Sequence, residues 1–506
     1  MTDHSQSPVW QDAIDRPRYP SITRDQRFDV AIIGGGITGV TAALLLKRGG
    51  LRVAVIEAQR IGDGVTGATT AHLTTMLDAR YADLRKTFGQ EKTQLVVDSV
   101  RHAIRSIGRL ASEHGIACDY VTVPGFLYAE PGQDTVAIEA EIETMRSLGL
   151  PVSAVSSIPL PIAPAAALRV EEQAQFHPLK YLVGLAGQIE GDGSAIFENS
   201  RVDTIDDGEP CQVHTAGGII SATAVLMATH TPINELLLTH ARVTPYRSYV
   251  LALDAGDIAP DALLWDVADP YHYTRSATID GRRLLIVGGE DHKTGQEDDT
   301  TAPFARLRSY AKARFGQREV VRQWSAQLYE PADGLPYIGR QLGKQHIFMT
   351  AGYSGTGMTF GTIAAEIIAG EILGAPSQWG ALYDSKRLSI GSGGAQIVKE
   401  GLNVAVAAIA GFVHDDGGDV ESIQPGEGKI IRRDGVQVAA YRDEHGALTM
   451  LSPRCTHAGC IVGWNTAERS WDCPCHGGRF AATGSVLEGP PTAPLAPYEA
   501  KSGKVG

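Results

Sequence analysis

The chain has 506 residues, a formal net charge of −13 and 43% hydrophobic residues. That length exceeds one ordinary domain, and the apolar share is enough for large cores. No basic block stands out, which argues against nucleic acid and anionic membranes as partners, and six cysteines at this length do not make a secreted disulfide framework.

Residues 1–26 read as a polar, proline-containing N-terminal extension. It has no basic stretch leading into an apolar run and no twin-arginine pair, so no secretion signal is expected. The longest apolar window, around Leu402 to Val413, reads as too short to span a bilayer. The expectation is a cytoplasmic protein with no transmembrane segment.

Phe28 to Ile33 is a short apolar, β-branched run of the kind that forms a buried parallel strand. Gly34, Gly36 and Gly39 follow in Gly-x-Gly-x-x-Gly spacing, with Ile37 and Thr38 between them. Val40 to Arg48 has a helical apolar period, Leu51 to Ile56 is a second strand, and Glu57 closes it. Each part has a physical role. Gly34 makes the tight turn, Gly36 lets a pyrophosphate approach the backbone, and Gly39 lets helix pack on strand. The helix N-terminus faces the phosphates, and Glu57 can bind a ribose hydroxyl. Strand, helix, strand and acid in this order predict dinucleotide binding.

The next segment, Arg60 to Thr70, is rich in Gly and Thr. With Phe176-His177-Pro178, Gly193 to Phe197, Val225 to His230, Asp333 to Gly339 and Gly352 to Gly361, it resembles the glycine oxidase/D-amino-acid oxidase family. The resemblance covers roughly residues 27–385, within a domain expected at 27–388, and implies FAD rather than NAD. It places Thr69, Thr70 and Gly339 with the glycine fingerprint among the cofactor-binding residues. It also implies that backbone N–H groups of the turn Gly355, Thr356, Gly357, Met358 and Thr359 reach the flavin pyrimidine edge, where they favour negative charge on the reduced ring. Some relatives attach flavin covalently through a His near His72; a hydrogen-bonded His is the other reading of that residue.

Strand-like segments at Pro245 to Leu251, Tyr271 to Arg275 and Arg283 to Gly289 suggest an antiparallel sheet interleaved with the nucleotide domain, roofing the flavin. Tyr246, Tyr273, Arg275, His292 and Lys293 are its pocket candidates; for each, a structural or surface polar role is the alternative. Cys118 and Cys211 are isolated and read as packing residues.

Residues 389–419 read as a linker: a Gly/Ser-rich break, a helix from Gln396 to Phe412 and an acidic loop. From residue 420 to 506 the pattern changes to short strands. Within them lie Cys455-Thr456-His457-Ala458-Gly459-Cys460 and Cys473-Pro474-Cys475-His476-Gly477-Gly478. Cys455, His457, Cys473 and His476 supply two thiolates and two imidazoles. That set fits a Rieske [2Fe–2S] centre, with the His pair on a solvent-facing iron, and equally the ligand types of a Cys₂His₂ zinc site. The loops resemble those of the Rieske proteins of respiratory cytochrome complexes, and Gly489-Pro490-Pro491 resembles their proline loop. The resemblance favours the [2Fe–2S] cluster over zinc and implies a disulfide between Cys460 and Cys475. Gly478 and Phe480 stand where those proteins have Ser and Tyr, so two hydrogen-bond donors to the cluster are missing and a lower potential is expected.

The expected fold is a Rossmann-type FAD-binding domain with an interleaved antiparallel substrate sheet, followed by a small β Rieske domain. The expected activity is a flavin dehydrogenase. It oxidises a small organic substrate, an amine or amino acid at its C–N bond, and passes electrons singly through the cluster to a protein or quinone acceptor. The alternatives are an NAD(P)H-linked reductase serving a partner oxygenase, and a redox sensor without turnover. A homo-oligomer is left open.

Overall fold

The computed structural model describes residues 7–11, 14–235, 239–387 and 392–499. Strand β1 (Val30–Ile33) is buried along its whole length, as a strand covered on both faces must be. Helix α1 (Ile37–Arg48) returns the chain to β2 (Val53–Ile56), which pairs parallel to β1 from Val30↔Val53 to Ile33↔Ile56. These strands form the centre of a six-stranded sheet. Its order is Tyr337–Arg340, Ile347–Ala351, Ala224–Met227, β1, β2, Ala195–Phe197.

The second large sheet has nine strands. One side consists of β3 (Val243–Asp254), β4 (His272–Ile279), β5 (Arg282–Lys293) and β6 (Val320–Pro331), in the spatial order β6-β3-β5-β4. It is antiparallel throughout apart from the pair Leu263–Asp266 with Val121–Ala129. Helix α2 (Gly357–Ile372) then packs against α1, which closes the nucleotide-binding half.

The junction is helix α3 (Ser392–Val413), four residues longer at its start than its sequence suggests. The first part of the predicted Gly/Ser break, 389–391, lies outside the described residues. One face of α3 is tied down: Glu400 pairs with Lys293 at 2.6 Å, and Gln437 donates to the Gly411 carbonyl at 2.8 Å. The other face leaves Val398, Leu402, Val406 and Ile409 exposed. Its stretch Gln396–Val413 spans 18 residues at a mean hydropathy of 1.4, long and apolar enough to cross a membrane by length and composition. This corrects the expectation that the apolar window is too short. The helical rise carries the pattern back to Gln396, beyond the run of apolar letters.

The C-terminal module is built from two small antiparallel sheets, one of three strands and one of four. Trp471 and Phe480 are fully buried in its core beside Cys455, Cys460, Cys473 and Cys475. The N-terminal extension is not merely polar. Trp10 is 1% exposed and donates its indole N–H to the Thr69 carbonyl at 2.7 Å.

Candidate active site and metal centre

A cavity of about 510 Å³ runs from the tip of β1 under the nine-stranded sheet. At its phosphate end, Gly34 has φ +113°, and a Cβ there would lie 2.4 Å from the Ala228 carbonyl oxygen. A Cβ on Gly39 would lie 2.0 Å from the Gly34 oxygen. Only glycine permits this approach of helix to strand. Gly36 caps α1 without a side chain, so the helix N-terminus opens on the cavity, with Ile37 N–H held by Thr66 Oγ1 at 3.0 Å. Glu57 accepts from Gly35 N–H at 2.7 Å and from Gln59 N–H at 2.8 Å, and also lines the cavity. Burial raises its carboxyl pKa.

Further along, Ile37, Thr38, Thr69, Thr70 and the turn Gly355, Thr356, Gly357 and Met358 line the same space. Thr359 does not; it is fully buried in α2. Gly339, at φ +130°, stands beside Ser385 and not on the wall. His72 does line it. Its Nδ1 lies 3.1 Å from Thr70 Oγ1, and its buried Nε2 has no partner. Burial, and secondarily the Arg275 charge, hold its pKa well below the ordinary value. An elongated cavity with a glycine cradle, an open helix terminus and an orphaned ring nitrogen fits a bound FAD.

The five pocket candidates divide by strand face. Tyr273 lines the cavity and its hydroxyl lies 2.9 Å from Ser248 Oγ. Tyr246 sits on the same face of the sheet, opposite Leu328 and Lys293. Lys293 is committed to Glu400 and borders a second cavity of about 200 Å³ under α3. Arg275 is turned away: its guanidinium donates to the carbonyls of Thr70, Ala71 and Phe176. His292 points to the opposite face, where its Nε2 lies 2.8 Å from Tyr249 OH. Sequence reading passed over Asp78, Ser248, Tyr271, Tyr329 and His230, all of which line the cavity. Ser248 was findable, two residues from Tyr246 on one strand. Asp78 and His230 lie on loops, where no periodicity marks a face.

In the C-terminal module, Cys460 and Cys475 are bridged, with Cα atoms 6.5 Å apart. Cys455 and Cys473 are buried and free, within hydrogen-bond reach of each other. The rings of His457 and His476 lie 5.0 Å apart, and the Nδ1 atom of each is buried without a partner. His457 Nε2 meets the Glu235 carbonyl at 3.2 Å. Donating there puts the proton on Nε2 and leaves Nδ1 as a free lone pair. Two thiols and two orphaned imidazole nitrogens fit a Rieske cluster.

The His edge expected to face solvent is only partly open to it: His476 is buried, and His457 is half-buried. His240 packs its ring 4.7 Å from that of His457 and 5.4 Å from that of His476. Tyr329 donates its hydroxyl to the His476 carbonyl at 3.1 Å, and Gln327 donates to the Gly477 carbonyl at 2.9 Å. The cause is an ion cluster that fastens the module to the sheet. Arg247, 1% exposed, pairs with Glu468 and Glu488, and Arg479 pairs with Asp472, Glu468 and Glu488. Leu487, Glu488, Gly489, Pro491 and Thr492 thereby become part of the cavity wall.

A mostly parallel nucleotide-binding sheet, a mostly antiparallel roofing sheet and a thiolate–imidazole centre against their shared cavity define a two-cofactor redox flavoprotein. A family model described as FAD dependent oxidoreductase matches residues 29–371, and one for the Rieske [2Fe-2S] domain matches 417–499. The chain belongs to this FAD-dependent oxidoreductase family and carries a C-terminal Rieske domain, with FAD and a [2Fe–2S] cluster as cofactors. It is 32% identical to the putative Rieske 2Fe-2S iron-sulfur protein YhfW of Bacillus subtilis, over 96% of each chain. It is 24% identical to the gamma-glutamylputrescine oxidoreductase of Escherichia coli, over 73% of this chain and 89% of that one. Among solved structures, glycine oxidase from Geobacillus kaustophilus superimposes with a TM-score of 0.59 at 21% identity. It covers 72% of this chain and all of that one, which establishes the fold of the flavin part.

Proposed function

We propose that the chain is an amine or amino-acid dehydrogenase whose flavin discharges through the Rieske centre to an external one-electron acceptor. Bound FAD would accept two electrons from a C–N substrate, and the cluster would pass them on singly. Cys455, Cys473, His457 and His476 would hold the cluster, and the Gly34–Gly39 turn with Glu57 would hold the nucleotide.

The observation that carries this reading is Tyr329. Its side chain borders the FAD cavity, and its hydroxyl bonds to the His476 carbonyl. One residue therefore touches both cofactor sites. His230, which also lines the cavity, packs its ring 4.7 Å from that of Tyr329. A one-electron outlet needs a short path, and Tyr329 would supply it within one chain without a linker swing.

The test is an anaerobic titration of purified protein with less substrate than flavin, followed by electron paramagnetic resonance. The cluster signal, with the low average g-value of imidazole ligation, should grow as electrons leave the flavin. A flavin that stays reduced beside an oxidised cluster would refute the outlet.

A further inference from the structure

We propose that the cavity selects an organic cation: an amine with no carboxylate beside its reacting carbon. The inference rests on the dehydrogenase reading above and narrows its substrate class.

The roof over the ring end of the cavity is the underside of β6-β3-β5-β4. Residues directly opposite each other in an antiparallel pair share a face. Thr244 opposes Glu330, and Tyr246 opposes both Leu328 and Lys293. Asp291, two residues before Lys293, shares that face and bonds to Ser248, which in turn holds the Tyr273 hydroxyl. From below, Asp78 opens on the cavity and accepts from Gly355 N–H at 2.6 Å and from Tyr271 OH at 3.3 Å. Asp78, Tyr271 and Tyr273 line the cavity itself, at the turn expected to meet the flavin ring, and Asp291, Glu330 and Tyr246 stand beside them on the roof, near enough for the carboxyl charges to act on one another.

The positive charges nearby are committed elsewhere. Lys293 is paired with Glu400, and the charge of Arg80 bears both on Asp78 and on Glu141, away from the roof. Arg275 is bound to backbone carbonyls, and Arg247 is held on the other face by the Rieske module. His272 and Glu290, next along the strands, are tied to each other, and to Asp266 and Arg306 respectively. Asp291 Oδ1 is shut off from solvent and has no hydrogen-bond partner. Burial, with the charges of Asp78 and Glu290 adding, holds Asp291 up at about 7. Burial and then Asp78, Asp291 and Glu400 hold Glu330 at about 8, with Lys293 opposing.

Among the described residues, Arg80 apart, the cations near these carboxyls are held by other partners, and a substrate ammonium would add the missing charge. Tyr246, Tyr271 and Tyr273 add aromatic faces that attract a cation. A substrate carboxylate would instead meet like charges at close range. In the reaction the bound ammonium first passes one proton to a roof carboxylate. The hydrogen of one C–H bond would then leave with its electron pair, for which FAD, when bound, would supply the acceptor. The nitrogen lone pair forms the C=N bond. Water adds to the iminium, which breaks down to a carbonyl compound and ammonium.

The experiment uses the FAD-loaded full chain and matched probes. Anaerobically, butane-1,4-diamine should bleach the flavin, and 2,5-diaminopentanoate, the same chain plus one carboxylate, should not. Independently of turnover, tetramethylammonium binding is measured by calorimetry against acetate. Its affinity should rise with pH through about 7 to 8 as Asp291 and Glu330 ionise. Glu330→Gln should weaken it roughly tenfold or more, and acetate should not bind. Acetate binding as well as the cation, or bleaching only by the carboxylate-bearing probe, overturns this inference while the flavin reading stands. Cation binding that depends on Glu330, with no bleaching by any amine, supports the cation site and removes the dehydrogenase reading.

Discussion

Phe480 and Gly478 stand where the resemblance to respiratory Rieske proteins implies hydroxyl donors to the cluster, and the structure separates them as targets. A Cβ on Gly478 would lie 2.8 Å from Pro491 Cδ, so Ser at 478 must displace the proline loop. Phe480 is buried in the module core and needs only one added oxygen. Phe480→Tyr should raise the cluster potential, because one more donor favours the reduced, more negative state by roughly 1 kcal/mol. Protein-film voltammetry reads the shift, and an unchanged or lowered potential counts against the missing-donor argument. The roof carboxyls give a second prediction. Asp291 and Glu330 are held at about 7 and 8 in the fold, above their ordinary 3.8 and 4.5. A raised folded pKa stabilises at low pH, and that contribution is lost as pH rises through the folded value. The unfolding temperature should therefore fall from about pH 4 to about pH 8 and level off above that, and Glu330→Gln should flatten the fall. An identical slope in the variant would show that the carboxyl is not perturbed. At this scale the glycine fingerprint and the Cys/His loops were legible, because their chemistry is local. Arg275 and His292 were not, because a register shift between Arg247 and Tyr249 and the competing backbone carbonyls decide where they point.

Between elements, what matters is how the Rieske module is held. Arg247 comes from β3, and Glu468 and Glu488 from the module, so this buried ion pair crosses the junction. Removing one partner leaves buried charge uncompensated, at a cost of about 3–5 kcal/mol. Arg247→Ala should lower the unfolding temperature and let the module unfold in a separate, earlier transition seen by calorimetry. A single transition at the wild-type temperature would mean that the network does not fasten the junction. None of this was legible in the sequence. The strands of both modules follow from their apolar runs, but nothing local to Arg247 indicates a partner 221 residues away. The same holds for α3. Its helical pattern was readable, yet which face meets Lys293 and Gln437 is set by the tertiary arrangement.

Taken whole, the molecule is a flavin chamber with a Rieske module as part of its wall. The His-bearing loops pack against His240 and Tyr329, and under the proposed function the path from flavin to cluster would run through this contact. The central claim is that electrons leave by this path. The direct measurement is the reoxidation of substrate-reduced flavin by a one-electron acceptor, in the wild type and in Cys455→Ser, by stopped flow. The variant should lose the cluster, keep flavin reduction by substrate near normal, and lose reoxidation by the acceptor. If Cys455→Ser is reoxidised by that acceptor as fast as the wild type, the cluster is not the outlet and the account fails.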